Sequence, residues 1–242
     1  MKYIFGRKPV LEAIKAGQEL EQILIPFGAK GAFYNELKAA AKKNKLKISE
    51  VPSQKLDQMS KGQNSQGVIA TIPSFEYRDI DEIISEAKSS QYPLLLLLDS
   101  IQDTHNLGAI LRTAECFGVD GILMTIHQSA PVTGIVEKTS AGAVNHLKIA
   151  KVTNLNREIQ KLKDEGFWIV GSSLENSQDY SKIDYKMPIA VIVGNEEKGI
   201  RKLVADNCDF LVQIPMQGKI QSLNVSVASG ILLAEIAKQR KL

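Results

Sequence analysis

The chain has 242 residues, 44% apolar and 24% charged, which suits one large or two modest globular domains with ample core. Its unbroken apolar runs, such as residues 94–98, fall far short of the ~20 residues that span a bilayer. Residues 1–8 meet charge too early for a secretory signal, and Cys116 and Cys208 stand without CxxC or metal-ligand spacing, so a cytoplasmic protein with no disulfide scaffold and no metal is expected. The net charge of +3 is unevenly divided: residues 1–72 carry 12 Lys and Arg against 6 Asp and Glu, residues 73–242 carry 18 against 21. A small basic unit joined to a larger acidic one points to nucleic acid, the plain alternative being a lysine-rich surface that serves solubility.

In chain order, Gly6-Arg7-Lys8-Pro9 opens a helix that Gly17 closes. Residues 23–25 read as a buried strand. Residues 33–43 form a helix with Phe33, Leu37, Ala40 and Ala41 on one side and lysines on the other. Strands at 48–51 and 67–72, with a helix from Ser53 between them, complete a small αβαβαβ unit. Pro73-Ser74 marks a boundary, and residues 73–92 read as a linker with one short helix at 80–88. Residues 94–99 are apolar on both faces, as in the middle of a parallel sheet. There follow a helix (106–117), a strand (121–125), a short helix and turn (134–143), a helix (154–165), strands at 167–171, 189–193 and 210–214, and a helix from about Ser222 to Gln239. Strands alternating with helices predict an α/β sheet covered on both faces.

Absences narrow the chemistry. No GxGxxG follows a strand, which removes the usual dinucleotide fingerprint. Gly194 to Gly199 has phosphate-loop spacing, but Ile200 and Arg201 stand where Lys and Ser/Thr are needed. There is no GxSxG elbow, and His105, His127 and His146 have no ligand spacing.

Three clusters lie where strands end, which is where open α/β sheets place ligands: residues 99–115, the 194–199 turn, and residues 214–228. Singly, each has a plainer reading. Asn106 and Ser222 can serve as helix caps, Arg112 as a surface residue, and Glu196 as a first-turn carboxylate favoured by the helix dipole.

Together they resemble the three motifs of the SpoU family of RNA ribose 2′-O-methyltransferases, in the SPOUT class. The first reads Asp103-x-x-Asn106-x-Gly108-Ala109-Ile110-x-Arg112-Thr113-Ala114, the second Ile192-Val193-Gly194-x-Glu196-x-x-Gly199. The third is Ile214-Pro215-Met216-x-Gly218 followed by Ser222-Leu223-Asn224-Val225-Ser226. The first 72 residues resemble the family's small substrate-binding domain, marked by Phe5-Gly6-Arg7-Lys8-Pro9 and Gln66-Gly67-Val68-Ile69-Ala70. Thr104 stands where many relatives have Pro, and Gln221 where Glu or Ser is frequent.

The resemblance implies a small α/β RNA-binding domain at 1–72, a linker at 73–92, and a parallel-sheet domain at 93–242 closed by a trefoil knot. S-adenosylmethionine is the implied cofactor, its adenine and ribose held by backbone groups of Gly194, Ile214 and Leu223, with Met216 and residues 171–174 as further contacts. Asn106, Arg112, Glu196, Ser222 and Asn224 are the implied catalytic neighbourhood. The implied reaction is methyl transfer to a guanosine 2′-hydroxyl of 23S rRNA by a homodimer, with transfer-RNA methylation as the alternative. A drug-resistance methyltransferase, a non-catalytic RNA-binding protein and a nucleotide hydrolase stand behind these. Lys8, Lys42, Lys43, Lys45 and Lys61 are candidate phosphate contacts, with the solvated-lysine reading beside each.

Overall fold

The computed structural model describes residues 2–72, 75–219 and 222–240; Pro73, Ser74 and Gln221 lie outside them. The chain divides into two units, Met1–Phe75 and Glu76–Leu242.

The first unit comprises β1 (Lys2–Phe5), α1 (Arg7–Lys15), β2 (Gln22–Pro26), α2 (Ala32–Lys43), β3 (Ile48–Val51), α3 (Ser53–Ser60) and β4 (Ile69–Ile72). The strand order is β1-β4-β2-β3, with β4 antiparallel to β1 and β2, and β2 parallel to β3. The two-residue strand period sends Ile23 and Ile25 to the face covered by Val10 and Ile14 of α1 and Leu37 of α2. Leu24 points the other way, against Leu56 of α3. β1 is an addition to the elements expected from sequence. Its four residues are too few to show alternation, and pairing with β4 makes them a strand.

The second unit comprises α4 (Ile80–Ala87), β5 (Leu94–Asp99), α5 (Thr104–Cys116), β6 (Gly121–Thr125), α6 (Gly134–Thr139) and β7 (Ile149–Val152). It continues through α7 (Leu155–Asp164), β8 (Trp168–Ser172), β9 (Gln178–Asp179), β10 (Ile189–Gly194), α8 (Lys202–Ala205), β11 (Phe210–Gln213) and α9 (Val225–Arg240). The sheet is parallel throughout, in the order β7-β6-β5-β10-β8-β11-β9. Every residue of β5 is buried. Leu95 and Leu97 pack in one cluster with Ile83 of α4, Ile159 of α7 and Val204 of α8. By alternation, Leu94, Leu96 and Leu98 face the other layer, and α5 and α9 pack against each other. This is the expected α/β architecture.

Residues 76–92, expected within a linker, belong to the second unit. Asp79 caps α4 by accepting a hydrogen bond from the Asp81 N–H, and Ile83 is fully buried. The polar appearance of the segment comes only from its outward half, Asp81, Glu82, Ser85 and Glu86. β7 and β9 were likewise not expected; four and two residues long, they are defined by their neighbours in the sheet.

Arg240 fastens the last helix to the segments that lead into β5 and β10. Arg240 donates from Nε to the Tyr185 carbonyl (2.9 Å), and from its two terminal nitrogens to the carbonyls of Tyr92 (2.8 Å) and Met187 (2.9 Å). Burial pulls its pKa down to about 10, still far enough above neutrality to keep the charge. Arg240→Met leaves three carbonyls without these donors, and a loss of ~3 kcal/mol is expected in urea unfolding at pH 7. A change below ~1 kcal/mol would show that water replaces the guanidinium freely.

Candidate active site

Because β5, β10 and β11 are parallel, their carboxyl ends share one edge of the sheet, and Gly194 lies in register beside Asp99. β10 enters between β5 and β8, at the point where the strand order reverses. Immediately afterwards the chain doubles back. Asn195 and Gly199 exchange two backbone hydrogen bonds of 2.9 Å each, with Gly199 at φ +66°. A Cβ at Gly194 would stand 2.1 Å from the Gly199 carbonyl carbon and 2.2 Å from the Ile200 nitrogen. The glycine is therefore required by the chain's own return, not only by the approach of a ligand.

The returning loop is latched to the end of β5. The fully buried Asp99 carboxylate accepts from the Arg201 N–H (3.0 Å) and from its guanidinium (2.8 Å). Asn195 donates from Nδ2 to the Ser100 carbonyl (3.1 Å), and its Oδ1 accepts from the Glu197 and Lys198 N–H groups at 3.1 and 3.2 Å. Ser100 is held at φ +65°, a conformation that a non-glycine residue adopts only when its surroundings fix it. Removing the half-exposed guanidinium leaves Asp99 buried and poorly compensated. Arg201→Met should therefore cost ~2 kcal/mol in denaturant melts, and a change near zero would mean that the backbone bond suffices.

Next to this loop three predicted residues form one chain of side-chain hydrogen bonds. Asn224 donates from Nδ2 to Asn106 Oδ1 (2.9 Å), and Asn106 donates from Nδ2 to Glu196 Oε1 (3.3 Å). The Asp103 N–H also approaches Glu196 Oε1 (3.4 Å), and Asn195 donates to its Oε2 (3.2 Å). The cap of α5 is Asp103, whose carboxylate accepts from the His105 and Asn106 N–H groups at 2.8 and 2.7 Å. Asn106 is thereby released from the capping role considered for it. Nor does Ser222 open α9: the helix begins at Val225, and Asn224 Oδ1 accepts from Ser226 N (2.9 Å) and Oγ (2.6 Å). Glu196 sits in the turn after β10, well before α8, so a helix dipole does not account for it.

A cavity of about 610 Å³ opens beside this chain of bonds, within the usual range for ligand pockets. Gly194, Glu196, Ile214, Met216, Ser222 and Leu223, all predicted site residues, line it. So do residues 172–176, close to the weaker expectation at 171–174. Asn106 and Asn224 reach it through Glu196. Arg112 is not brought to this cluster. It is exposed on α5, six residues beyond Asn106 and about 120° round the helix from it. Sequence reasoning missed Asp99, Asn195 and Arg201, although a carboxylate ending a strand of leucines was a readable signal. The walls combine apolar Val193, Ile200 and Leu211 with the acidic Glu175, Glu196, Glu197 and Asp206 and the basic Lys198 and Lys202. That mixture suits a ligand with an apolar body and charged groups. Cys208 is no nucleophile here: burial pushes its thiol up to about 12, and Sγ donates to the Val204 carbonyl (3.3 Å).

Comparison with known proteins identifies the family. The profile of the SpoU rRNA Methylase family matches residues 93–234, and that of the RNA 2′-O ribose methyltransferase substrate-binding domain matches residues 3–78. A Staphylococcus saprophyticus protein named "Putative TrmH family tRNA/rRNA methyltransferase" is 41% identical over 238 residues, 98% of this chain and 95% of that protein. The AdoMet-bound rRNA methyltransferase from Sinorhizobium meliloti aligns over 98% of this chain and 86% of its own, with 26% identity and a TM-score of 0.63. The SpoU methyltransferase AviRb from Streptomyces viridochromogenes, 23% identical, shares the fold over 99% of this chain and 89% of its own, with a TM-score of 0.63. Motif residues gathered at one sheet edge and two profiles that between them span most of the chain lead to one conclusion: the protein belongs to the SpoU family of RNA methyltransferases.

Proposed function

We propose that this protein methylates the ribose 2′-hydroxyl of a guanosine in 23S rRNA, using S-adenosylmethionine bound in the cavity lined by the 194–199 turn and by Ile214, Met216, Ser222 and Leu223. The observation that carries the reading is the Asn224–Asn106–Glu196 chain, which ties two amide side chains to the cavity wall. The cavity's size and its mixture of apolar and charged lining residues fit the cofactor, and the Sinorhizobium meliloti relative is described with AdoMet bound. The guanosine and 23S target follow the sequence resemblance. Relatives are named for both tRNA and rRNA, which keeps transfer RNA as the second reading.

When bound, the cofactor supplies an electrophilic methyl group on a sulfonium. Backbone groups of Gly194, Ile214 and Leu223 would hold its adenosine, with Met216 as a further contact. The Glu196 carboxylate is engaged by Asn106, Asn195 and the Asp103 N–H, so its role is to anchor the amides rather than to collect a proton. Asn106 and Asn224 orient the ribose, and Ser222 supplies a hydroxyl at the cavity wall. A guanidinium stays protonated in proteins, so Arg112 is not a base; set on another face of α5 from Asn106, its role is to hold an RNA phosphate beside the site. Positioning and charge stabilisation supply most of the rate. The working protein is a cytoplasmic homodimer joined through the second unit, whose chain closes in a trefoil knot.

Calorimetric titration of the purified chain tests the reading. One S-adenosylmethionine bound per chain is expected. Absence of binding, with RNA affinity intact, would favour a non-catalytic RNA-binding protein on the same fold.

A further inference from the structure

Three segments of the first unit meet at one end of its sheet. The Gly6 N–H donates to the Val68 carbonyl (3.0 Å), and a Cβ at Gly67 would stand 3.1 Å from Tyr34 Oη and 3.6 Å from Pro26 Cγ. Residues 6–9, 26–34 and 61–68 together hold Arg7, Lys8, Lys30 and Lys61 and contain no Asp or Glu. The neighbouring Glu50 carboxylate is occupied by the Gly28 N–H (3.2 Å) and Lys38 (3.3 Å), which hold it below the usual carboxylate range.

Two features make this end more than a basic surface. Arg7 is exposed, yet its side chain is fixed. Nε donates to the Gln66 carbonyl (3.1 Å), a terminal nitrogen donates to Tyr34 Oη (3.4 Å), and the guanidinium lies 5.4 and 5.1 Å from the ring centres of Phe33 and Tyr34. Phe27, in the adjoining turn, is 66% exposed. A large aromatic left in water, with Lys30 and no Asp or Glu in its own segment, at the sheet end that also carries Arg7 and Lys8, is the pattern that stacks an unpaired base while cations hold the backbone.

We infer that this end, built on Arg7, Lys8, Phe27 and Lys30, is where the first unit grips single-stranded RNA. The inference deepens the methyltransferase reading and rests on it for the identity of the partner. It also separates the lysine candidates. Lys42, Lys43 and Lys45 lie at the other end of the twelve-residue α2, ~18 Å away, beside a turn that carries Glu19 and Glu21. They are solvated lysines. For stacking, Phe27 is the exposed platform at this end.

The test uses the full-length protein and a fluorescein-labelled 12-nucleotide oligouridine, titrated by anisotropy at several salt concentrations without cofactor. K8M/K30M should weaken binding ~10-fold at low salt and reduce the slope of log affinity against log salt by about 1.4, or 0.7 per lost phosphate contact. Phe27→Ala should weaken binding ~5-fold or more with the slope unchanged. K42M/K43M/K45M should stay within ~2-fold of the parent. Melting temperatures are compared so that unfolding is not mistaken for lost contacts. Loss of affinity in the Lys42–Lys45 variant with K8M/K30M and Phe27→Ala unaffected overturns the inference. Failure of the parent to bind S-adenosylmethionine counts against the methyltransferase reading alone, because the RNA titration needs no cofactor.

Discussion

Gly194→Ala should abolish methyl transfer and lower stability by about 3 kcal/mol. The added carbon would stand 2.1 Å from the Gly199 carbonyl carbon and 2.2 Å from the Ile200 nitrogen. Both are backbone atoms, held by the Asn195–Gly199 pairing and by the Asp99–Arg201 latch, so the obstacle cannot rotate away. Relief requires β10 or the returning loop to shift, and that loop carries Glu196 and one wall of the cavity. Gly171→Ala provides the comparison. Its Cβ meets Cys208 Sγ at 2.6 Å and Ile200 Cδ1 at 2.9 Å, which are side-chain atoms able to yield, and a cost of ~1 kcal/mol is expected. Urea midpoints and cofactor titrations of the two variants separate the cases. Wild-type stability and cofactor affinity in Gly194→Ala would show that the loop does not confine this position.

The second large effect belongs to Asn106. Its side chain is the middle of the chain from Asn224 to Glu196, accepting from one neighbour and donating to the other. Asn106→Ala should lower kcat by ~10²–10³-fold, with cofactor affinity nearly unchanged, because Asn106 does not line the cavity. Asn224→Ala should have a similar effect. If the residues act as a unit, the double variant is little worse than either single one. Single-turnover rates at saturating cofactor and RNA give the answer. Multiplicative losses in the double variant would mean that the amides act independently.

Much of this organisation was legible because it rests on local patterns. Five leucines ending in Asp99 announce a central parallel strand, and the resemblance of the segments around Asn106, Gly194, Glu196 and Asn224 to family motifs points to the candidate site before any coordinates exist. What sequence could not supply is long-range. Asn106 and Asn224 are 118 residues apart and meet only because α5 and α9 pack together. Asp103 rather than Asn106 caps α5, a competition between two good capping residues that only geometry decides. The helix at Ile80–Ala87 looked like linker because half of its residues are polar, whereas Ile83, Ile84 and Ala87 are core. Arg112 shares a motif with Asn106 but not a helix face, a difference that follows from 3.6 residues per turn. The basic end of the first unit combines three segments that only the fold brings together.

On the function proposed for this protein, the strand ends around Gly194, Glu196 and Asn224 support methyl transfer to an RNA ribose. The most direct measurement incubates the protein and labelled S-adenosylmethionine with total RNA from cells lacking the enzyme, followed by nucleoside mass spectrometry and mapping. One new 2′-O-methylguanosine in 23S rRNA is the predicted product. A methylated base, or no incorporation into rRNA or tRNA although the cofactor binds, would contradict the account.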